Sequence, residues 1–220
     1  STNGSADWSL YKELVERGVS DFSISFDSAD ECVGSLLTGG VGDVERIRDN
    51  IRCLSKISTI ILGVTVNEVN KECIIETLEV ASSLGVSDIK LSTATQYNSV
   101  IPHLDKVSKV LLDKHPILKY RVESFLSGRN VRGLRSCDCH SCPLMLDNLI
   151  LSSEYHWGCI VYARERGKPI GRVGDVSNMR RERLKWMKRV DTHKDAMCLK
   201  NCMDIFVDCN NKMVELNCGK

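Results

Sequence analysis

The chain has 220 residues, is 42% hydrophobic and carries a formal net charge of +1. That length holds one large domain or two modest ones, and aromatics at only 5% make any buried core aliphatic. The near-zero charge excludes a global pull toward nucleic acid or an anionic membrane, and no apolar run reaches the length of a membrane span.

The opening Ser1-Thr2-Asn3-Gly4 reads as the turn that ends a strand, so the chain is expected to be a fragment of a longer protein. Trp8, Tyr11, Leu14 and Val15 share one helix face, and Gly18 follows as a stop. Residues 19–26 carry the strand formers Val19, Phe22, Ile24 and Phe26. Asp43 can cap a helix whose inner face is Val44, Ile47, Ile51 and Leu54. Residues 59–66 form an apolar, β-branched run, which predicts a strand buried on both faces. A helix with Ile74, Ile75, Leu78, Ala81 and Leu84 ends at Gly85, and a strand opens at Asp88.

Gly18-Val19-Ser20-Asp21 recurs as Gly85-Val86-Ser87-Asp88, each copy at the junction of a helix and a strand. Repeated strand–helix units predict a parallel sheet covered by helices, able to curl into a partial or full barrel. Chemistry in such sheets sits at the C-terminal strand ends. Those ends carry Ser25 and Asp27, Thr65 and Asn67, and residues 92–95. Residues 101–127 read as helical, with Ile101, Leu104, Val107, Val110 and Leu111 on one side. Ser127-Gly128-Arg129-Asn130 reads as a linker, which divides the chain into residues 1–127 and 128–220.

Beyond the linker the composition turns cysteine-rich. Eight of the eleven cysteines lie there, as Cys137/Cys139/Cys142, Cys159, Cys198/Cys202/Cys209 and Cys218. With no recognisable export leader, these thiols read as reduced and the protein as cytoplasmic. Clustered thiols in such a chain point to a metal, either an iron–sulfur cluster or structural zinc. The long, irregular intervals tilt toward iron–sulfur. Cys32, Cys53 and Cys73 are isolated and read as small buried hydrophobes. His140 reads as a solvated loop histidine. Residues 149–151 and 156–161 resemble a hairpin. A basic helix is expected over residues 179–190, with Leu184 and Met187 inward and a solvated outer face; the chain end reads as a loop.

Taken in order, these segments resemble the C-terminal part of a radical SAM enzyme with a SPASM or twitch-type auxiliary domain. Ser1-Thr2-Asn3-Gly4 resembles that family's Thr-Asn-Gly strand end, and Ile24-Ser25-Phe26-Asp27-Ser28 its Ile-Ser-Leu-Asp-Gly/Ser strand. Residues 64–70 resemble its next strand. Cys142-Pro143-Leu144, Gly158-Cys159, Pro169-Ile170-Gly171-Arg172-Val173 and Cys198-Leu199-Lys200-Asn201-Cys202 resemble the auxiliary domain. The family's Cys-x3-Cys-x2-Cys and Gly-Gly-Glu motifs are missing from this sequence, and Cys198-x3-Cys202 is one residue longer than the usual pair.

The resemblance implies a partial parallel β/α barrel followed by a small cysteine-rich α+β domain. It implies reductive cleavage of S-adenosylmethionine (SAM) to a 5′-deoxyadenosyl radical for hydrogen abstraction, often in peptide or protein modification. Ser25 would contact SAM, and Asn67 would face SAM or substrate. Cys142, Cys159, Cys198 and Cys202 would hold an auxiliary [4Fe–4S] cluster, with Cys137, Cys139, Cys209 and Cys218 in reserve for a second one or for a different fourth thiolate of the first. A further [4Fe–4S] cluster and SAM would belong to the intact protein, along with an electron donor such as a flavodoxin or ferredoxin. Alternatives are a non-enzymatic iron–sulfur or zinc interaction module and a structural zinc domain on an unrelated β/α enzyme.

Overall fold

A computed structural model describes residues 1–40, 43–94, 100–129 and 131–218, with the side chains of 217 and 218 excepted. The chain divides into two compact units, Ser1–Arg129 and Asn130–Lys220.

The first unit is α/β. Helix α1 (Trp8–Glu16) is capped by Asp7, whose carboxylate accepts the Ser9 amide. It leads into strand β1 (Asp21–Ser25). Helices α2 (Glu31–Leu37) and α3 (Val44–Leu54) follow, each begun by an aspartate whose side chain accepts a first-turn amide. Strand β2 (Thr59–Val66), helix α4 (Ile74–Ser83) and strand β3 (Asp88–Thr93) complete the alternation. The three strands are parallel in the order β1-β2-β3, with Ser25 opposite Gly63 and Gly63 opposite Lys90. Both copies of the Gly-Val-Ser-Asp repeat sit where expected. Gly18 and Gly85 take φ of 95° and 83°, a left-handed helix stop that costs glycine little. Residue Thr2 adds a parallel bridge to Ile24, so the edge beyond β1 is already paired by the opening residues.

The core lies on one face of this sheet. Phe22, Ile24, Ile60, Leu62, Val64, Val66, Ile89 and Leu91 are buried there with Ile51 and Leu54 of α3 and Ile74, Leu78 and Ala81 of α4. Residues 59–66 were expected to be buried on both faces, and this needs correction. Burial alternates strictly, and the second face is half-open along Ile61, Gly63 and Thr65, with Ser23, Ser25 and Lys90 exposed. Apart from Ile61, the residues named on that face are small or polar, so a covering helix would gain little apolar burial there.

The expected helix over 101–127 is also corrected. It is a 3-10 turn at Leu104–Lys106, then α5 (Lys109–Lys114) and α6 (Pro116–Leu126). Ser108 caps α5, and Pro116, which has no amide to donate, starts α6 afresh. Val110 is 81% exposed instead of inward. Asp88, at the start of β3, accepts the Ile117 amide at 3.0 Å and ties α6 to the sheet. Cys32 and Cys53 are exposed and Cys73 half-buried, so the first two are not core residues.

His115, between α5 and α6, is fully buried with Nε2 2.8 Å from Ser82 Oγ. Burial, helped by the nearby Lys114 ammonium, lowers its pKa below the ordinary value of 6.5. The unfolded chain therefore takes up this proton more readily than the folded one. Stability of residues 1–129 is complete above about pH 6.5 and falls as pH drops through that value toward the folded pKa. Urea midpoints measured from pH 7.5 to 5 should show this decline, and His115→Gln should flatten it.

The second unit is α+β. Strands β4 (Ile150–Ser152) and β5 (Tyr155–Trp157) make the expected hairpin, joined antiparallel by β6 (Gly171–Arg172). Residues 160–164 are not strand but helix α7 (Ile160–Arg164). The basic helix α8 spans Val176–Arg189, with Met179 and Arg183 buried; Leu184, expected inward, is 37% exposed. The chain end is not loop: α9 (Ala196–Asn201) and α10 (Asp204–Cys218) occupy it. No helix among the described residues is long and apolar enough to cross a membrane.

Candidate metal centre

Three separate segments of the second unit bring thiols to one apolar cavity. Cys139 and Cys142 come from the loop before a 3-10 turn at Pro143–Leu146. Cys159 comes from the junction of β5 and α7. Cys198 and Cys202 come from α9 and its C-cap, where four-residue spacing puts them on one helix face. Leu134, Met145, Trp157, Val161, Trp186, Phe206 and Val207 supply much of the remaining wall. The cavity volume is about 50 Å³, several times the space one water needs.

Each ligand segment is held by an identifiable interaction. Asp195 caps α9, accepting the Met197 and Cys198 amides at 2.9 and 3.0 Å, and also receives the Tyr162 hydroxyl at 2.6 Å. Gly133 and Leu134 donate to the carbonyls of Cys202 and Leu199, pinning α9 to the start of the unit. The thiol loop is fixed from α10. Asn210 Nδ2 donates to Cys142 Sγ at 3.3 Å while its Oδ1 accepts the Leu144 amide at 2.9 Å. Asn211 Oδ1 accepts the Cys139 amide, and its Nδ2 donates to buried Asp138. Thr192 holds the other side, its hydroxyl donating to the Cys139 carbonyl.

The electrostatics of this cavity resist bare thiolates. Burial raises the pKa of Cys142 and of Cys139. Cys202 is pushed up to about 12, first by burial and then by the neighbouring Cys142, Cys159 and Cys139. Cys198 is raised by burial, by Asp195 and by the other thiols. A cationic metal core supplies the charge that would let these sulfurs ionise together. Among the described residues, no three or more His, Cys, Asp or Glu side chains stand close enough together to hold a metal ion; the five cysteines share the cavity wall.

The reserve thiols separate. Cys139 belongs to the cavity wall, whereas Cys137 is exposed and Cys209 points its Sγ to Met213 Sδ at 3.8 Å. The Cys218 side chain lies outside the described residues. His140 is exposed as expected, but it is engaged: Nδ1 lies 2.9 Å from Asp191 Oδ1 and the ring stacks on His193. Asn210 and Asn211 had no spacing signal in the sequence. Asn210 is buried and makes both its bonds, so Asn210→Ala should destabilise the second unit by about 1–3 kcal/mol. Chemical denaturation followed by Trp186 fluorescence checks this.

At the sheet rim of the first unit, Ser25 ends β1 and Asn67 follows Val66, the last residue of β2. They lie at the same end of neighbouring strands, and strand alternation assigns both to the half-open face. Ser25 Oγ has no partner among the described residues. Asn67 Oδ1 accepts the Val69 amide at 2.8 Å and closes the turn, which leaves its Nδ2 without a partner among the described residues. Asp27 shares this rim. Its Oδ1 accepts the Thr65 amide at 2.7 Å, and burial raises its pKa above the usual carboxylate value. Thr95, the last residue of the expected β3 rim, lies outside the described residues. No protein-family model matches this chain, and no curated protein matches it significantly.

Proposed function

We propose that this chain supplies the C-terminal strands of a radical SAM barrel and an auxiliary iron–sulfur domain. The intact enzyme would include a Cys-x3-Cys-x2-Cys segment that this sequence does not contain, and would modify a peptide or protein. The observation that carries the reading is the convergence of Cys142, Cys159, Cys198 and Cys202, with Cys139, on one apolar cavity.

The donor set fits an iron–sulfur cluster. It is all thiol, it has the four ligands a [4Fe–4S] centre takes, and it surrounds a chamber. A single zinc ion, at about 2.3 Å from each sulfur, would require the four thiolates to be drawn into mutual contact around it. The apolar wall and the Asn210 amide then set the potential, since a hydrogen bond to a ligand sulfur favours the reduced, more negative state. Removing that bond in Asn210→Ala should lower the potential, measured by redox titration.

When bound, SAM and its own cluster supply the 5′-deoxyadenosyl radical that abstracts hydrogen. The residues of this chain bind and orient. Ser25 Oγ and Asn67 Nδ2 are free to hydrogen-bond the ribose or carboxylate of SAM on the polar sheet face. Asp27, anchored to the Thr65 amide, adds a carboxyl group to the same rim. The parallel α/β sheet, with its polar groups at the C-terminal strand ends, supports this placement.

The test uses the natural gene product with the sequence that precedes Ser1. After anaerobic loading with iron and sulfide and reduction in the presence of SAM, it should form 5′-deoxyadenosine. Ser25→Ala and Asn67→Ala should weaken SAM binding without altering the fold. A fully loaded protein that leaves SAM intact overturns the radical SAM assignment.

A further inference from the structure

Helix α8 carries a charge pattern that its own packing does not require. Arg180, Arg181, Lys185, Lys188 and Arg189 are all exposed, and none is in an ion pair among the described residues. At about 100° per residue they fall within one half of the helix circumference. The only acid in the helix, Glu182, is occupied by buried His156, whose Nε2 lies 3.0 Å away. The opposite half faces inward with Met179 and Arg183, and with Trp186, which lines the thiol cavity.

This arrangement costs the helix stability. Arg181 with Lys185, Lys185 with Lys188, and Lys185 with Arg189 are like charges at three- or four-residue spacing, each unfavourable by about 0.2–0.5 kcal/mol. The helix dipole accounts for Lys188 and Arg189 in the last turn but not for the other three. Residues 130–220 contain sixteen Lys and Arg against eleven Asp and Glu, so the excess belongs to this unit and not to the chain as a whole. Leu184, at 37% exposure, stands between Arg180 and Lys188 as a small apolar centre within a charged rim.

We infer that the outer face of α8 docks a small acidic protein that delivers one electron to the cluster in the thiol cavity. This rests on the iron–sulfur reading above. The same helix provides the docking face and, through Trp186, part of the cavity wall. A partner seated on α8 is therefore separated from the cavity by about one helix diameter, ~10–12 Å. The carrier is oxidised by one electron and the cluster reduced by one, with no group transferred. A small, salt-sensitive contact of this kind suits a transient redox encounter. The cationic half bears no aromatic side chain on which nucleic-acid bases would stack, which favours a protein partner.

The test uses the full chain, loaded with iron and sulfide, and an acidic low-potential [2Fe–2S] ferredoxin as the probe. Binding should weaken steeply as salt rises from about 50 to 200 mM. The triple variant R181E/K185E/K188E should lose about tenfold or more in affinity and in the rate of electron arrival by stopped flow. It should keep its iron, sulfide and circular dichroism, and the remote control K106E/K109E should behave as the parent. Unchanged ferredoxin affinity in the triple variant overturns the docking site. Tighter binding of duplex DNA or anionic vesicles through the same three residues overturns the choice of partner. Binding through α8 with no electron reaching a loaded cluster overturns the redox role. A chain that takes up neither iron nor sulfide contradicts the cluster itself, while the binding arm still reports on α8 independently.

Discussion

Cys198→Ala and Cys202→Ala, made in the full chain and reconstituted anaerobically, should each lose the broad visible absorption of an iron–sulfur cluster. Both positions sit on the face of α9 that lines the cavity, and both thiols are half-buried. Four thiolates are the usual complement of one cluster, so three cannot hold it with the same affinity. The loss should extend to structure. The second unit closes its loops around this cavity, and a cluster bound there would contribute directly to folding. Proteolysis of the 196–218 region should accelerate in both variants. Cys142→Ala and Cys159→Ala should behave alike. Cys139→Ala distinguishes a ligand from a spare: retention of full iron and sulfide makes the other four the ligand set. Cys137→Ala, at an exposed position away from the cavity, should leave the absorption unchanged. Full iron and sulfide in both the Cys198 and Cys202 variants would remove the cavity from consideration.

Leu62→Ala should be the most damaging single substitution in the first unit. Leu62 is fully buried in the central strand, opposite Ile24 on one side and Ile89 on the other. Truncating a buried leucine costs about 2–5 kcal/mol, a large share of the ~5–15 kcal/mol that holds a domain folded. The urea midpoint for residues 1–129 should fall sharply. Ser23→Ala, on the open face of β1, should stay within about 0.5 kcal/mol of the parent. If the two variants are equally stable, the core does not lie on the side described.

Much of the first unit is legible in the sequence because local signals agree there. Residues 59–66 form one run rich in β-branched residues, and the strand occupies all of it. Asp43 and the spacing of Val44, Ile47, Ile51 and Leu54 mark both the start and the inner face of α3. What the run of apolar residues cannot convey is how its second face is covered, since Ile61 and Thr65 look the same in sequence whether covered or half-open. α2 is hard to see because it is short and contains Gly34, which tertiary packing accepts because its missing side chain makes room for Val44.

In the second unit the cysteines mark the site but not the scaffold. Their clustering marks eight thiols as metal candidates and the resemblance selects Cys142, Cys159, Cys198 and Cys202; all four line one cavity. Cys139 is distinguished from Cys137 only by the path of the loop. The C-terminal helix α10 is obscured by Asn210, Asn211 and Cys209, residues that favour turns and weaken any apolar periodicity. Those two asparagines are in the helix because their side chains bond the thiol loop, a tertiary interaction that propensity does not contain. Leu184 misleads in the opposite direction: an apolar residue in a charged helix invites an inward placement, yet Arg183 takes it and donates to the Asn148 carbonyl.

The most direct test of the central claim is the metal content of the full chain after anaerobic reconstitution with iron, sulfide and zinc all present. An auxiliary cluster in the thiol cavity predicts iron and acid-labile sulfide in near-equal amounts, about four of each per chain, with zinc substoichiometric. One zinc per chain with no sulfide would contradict it and make the cavity a structural zinc site.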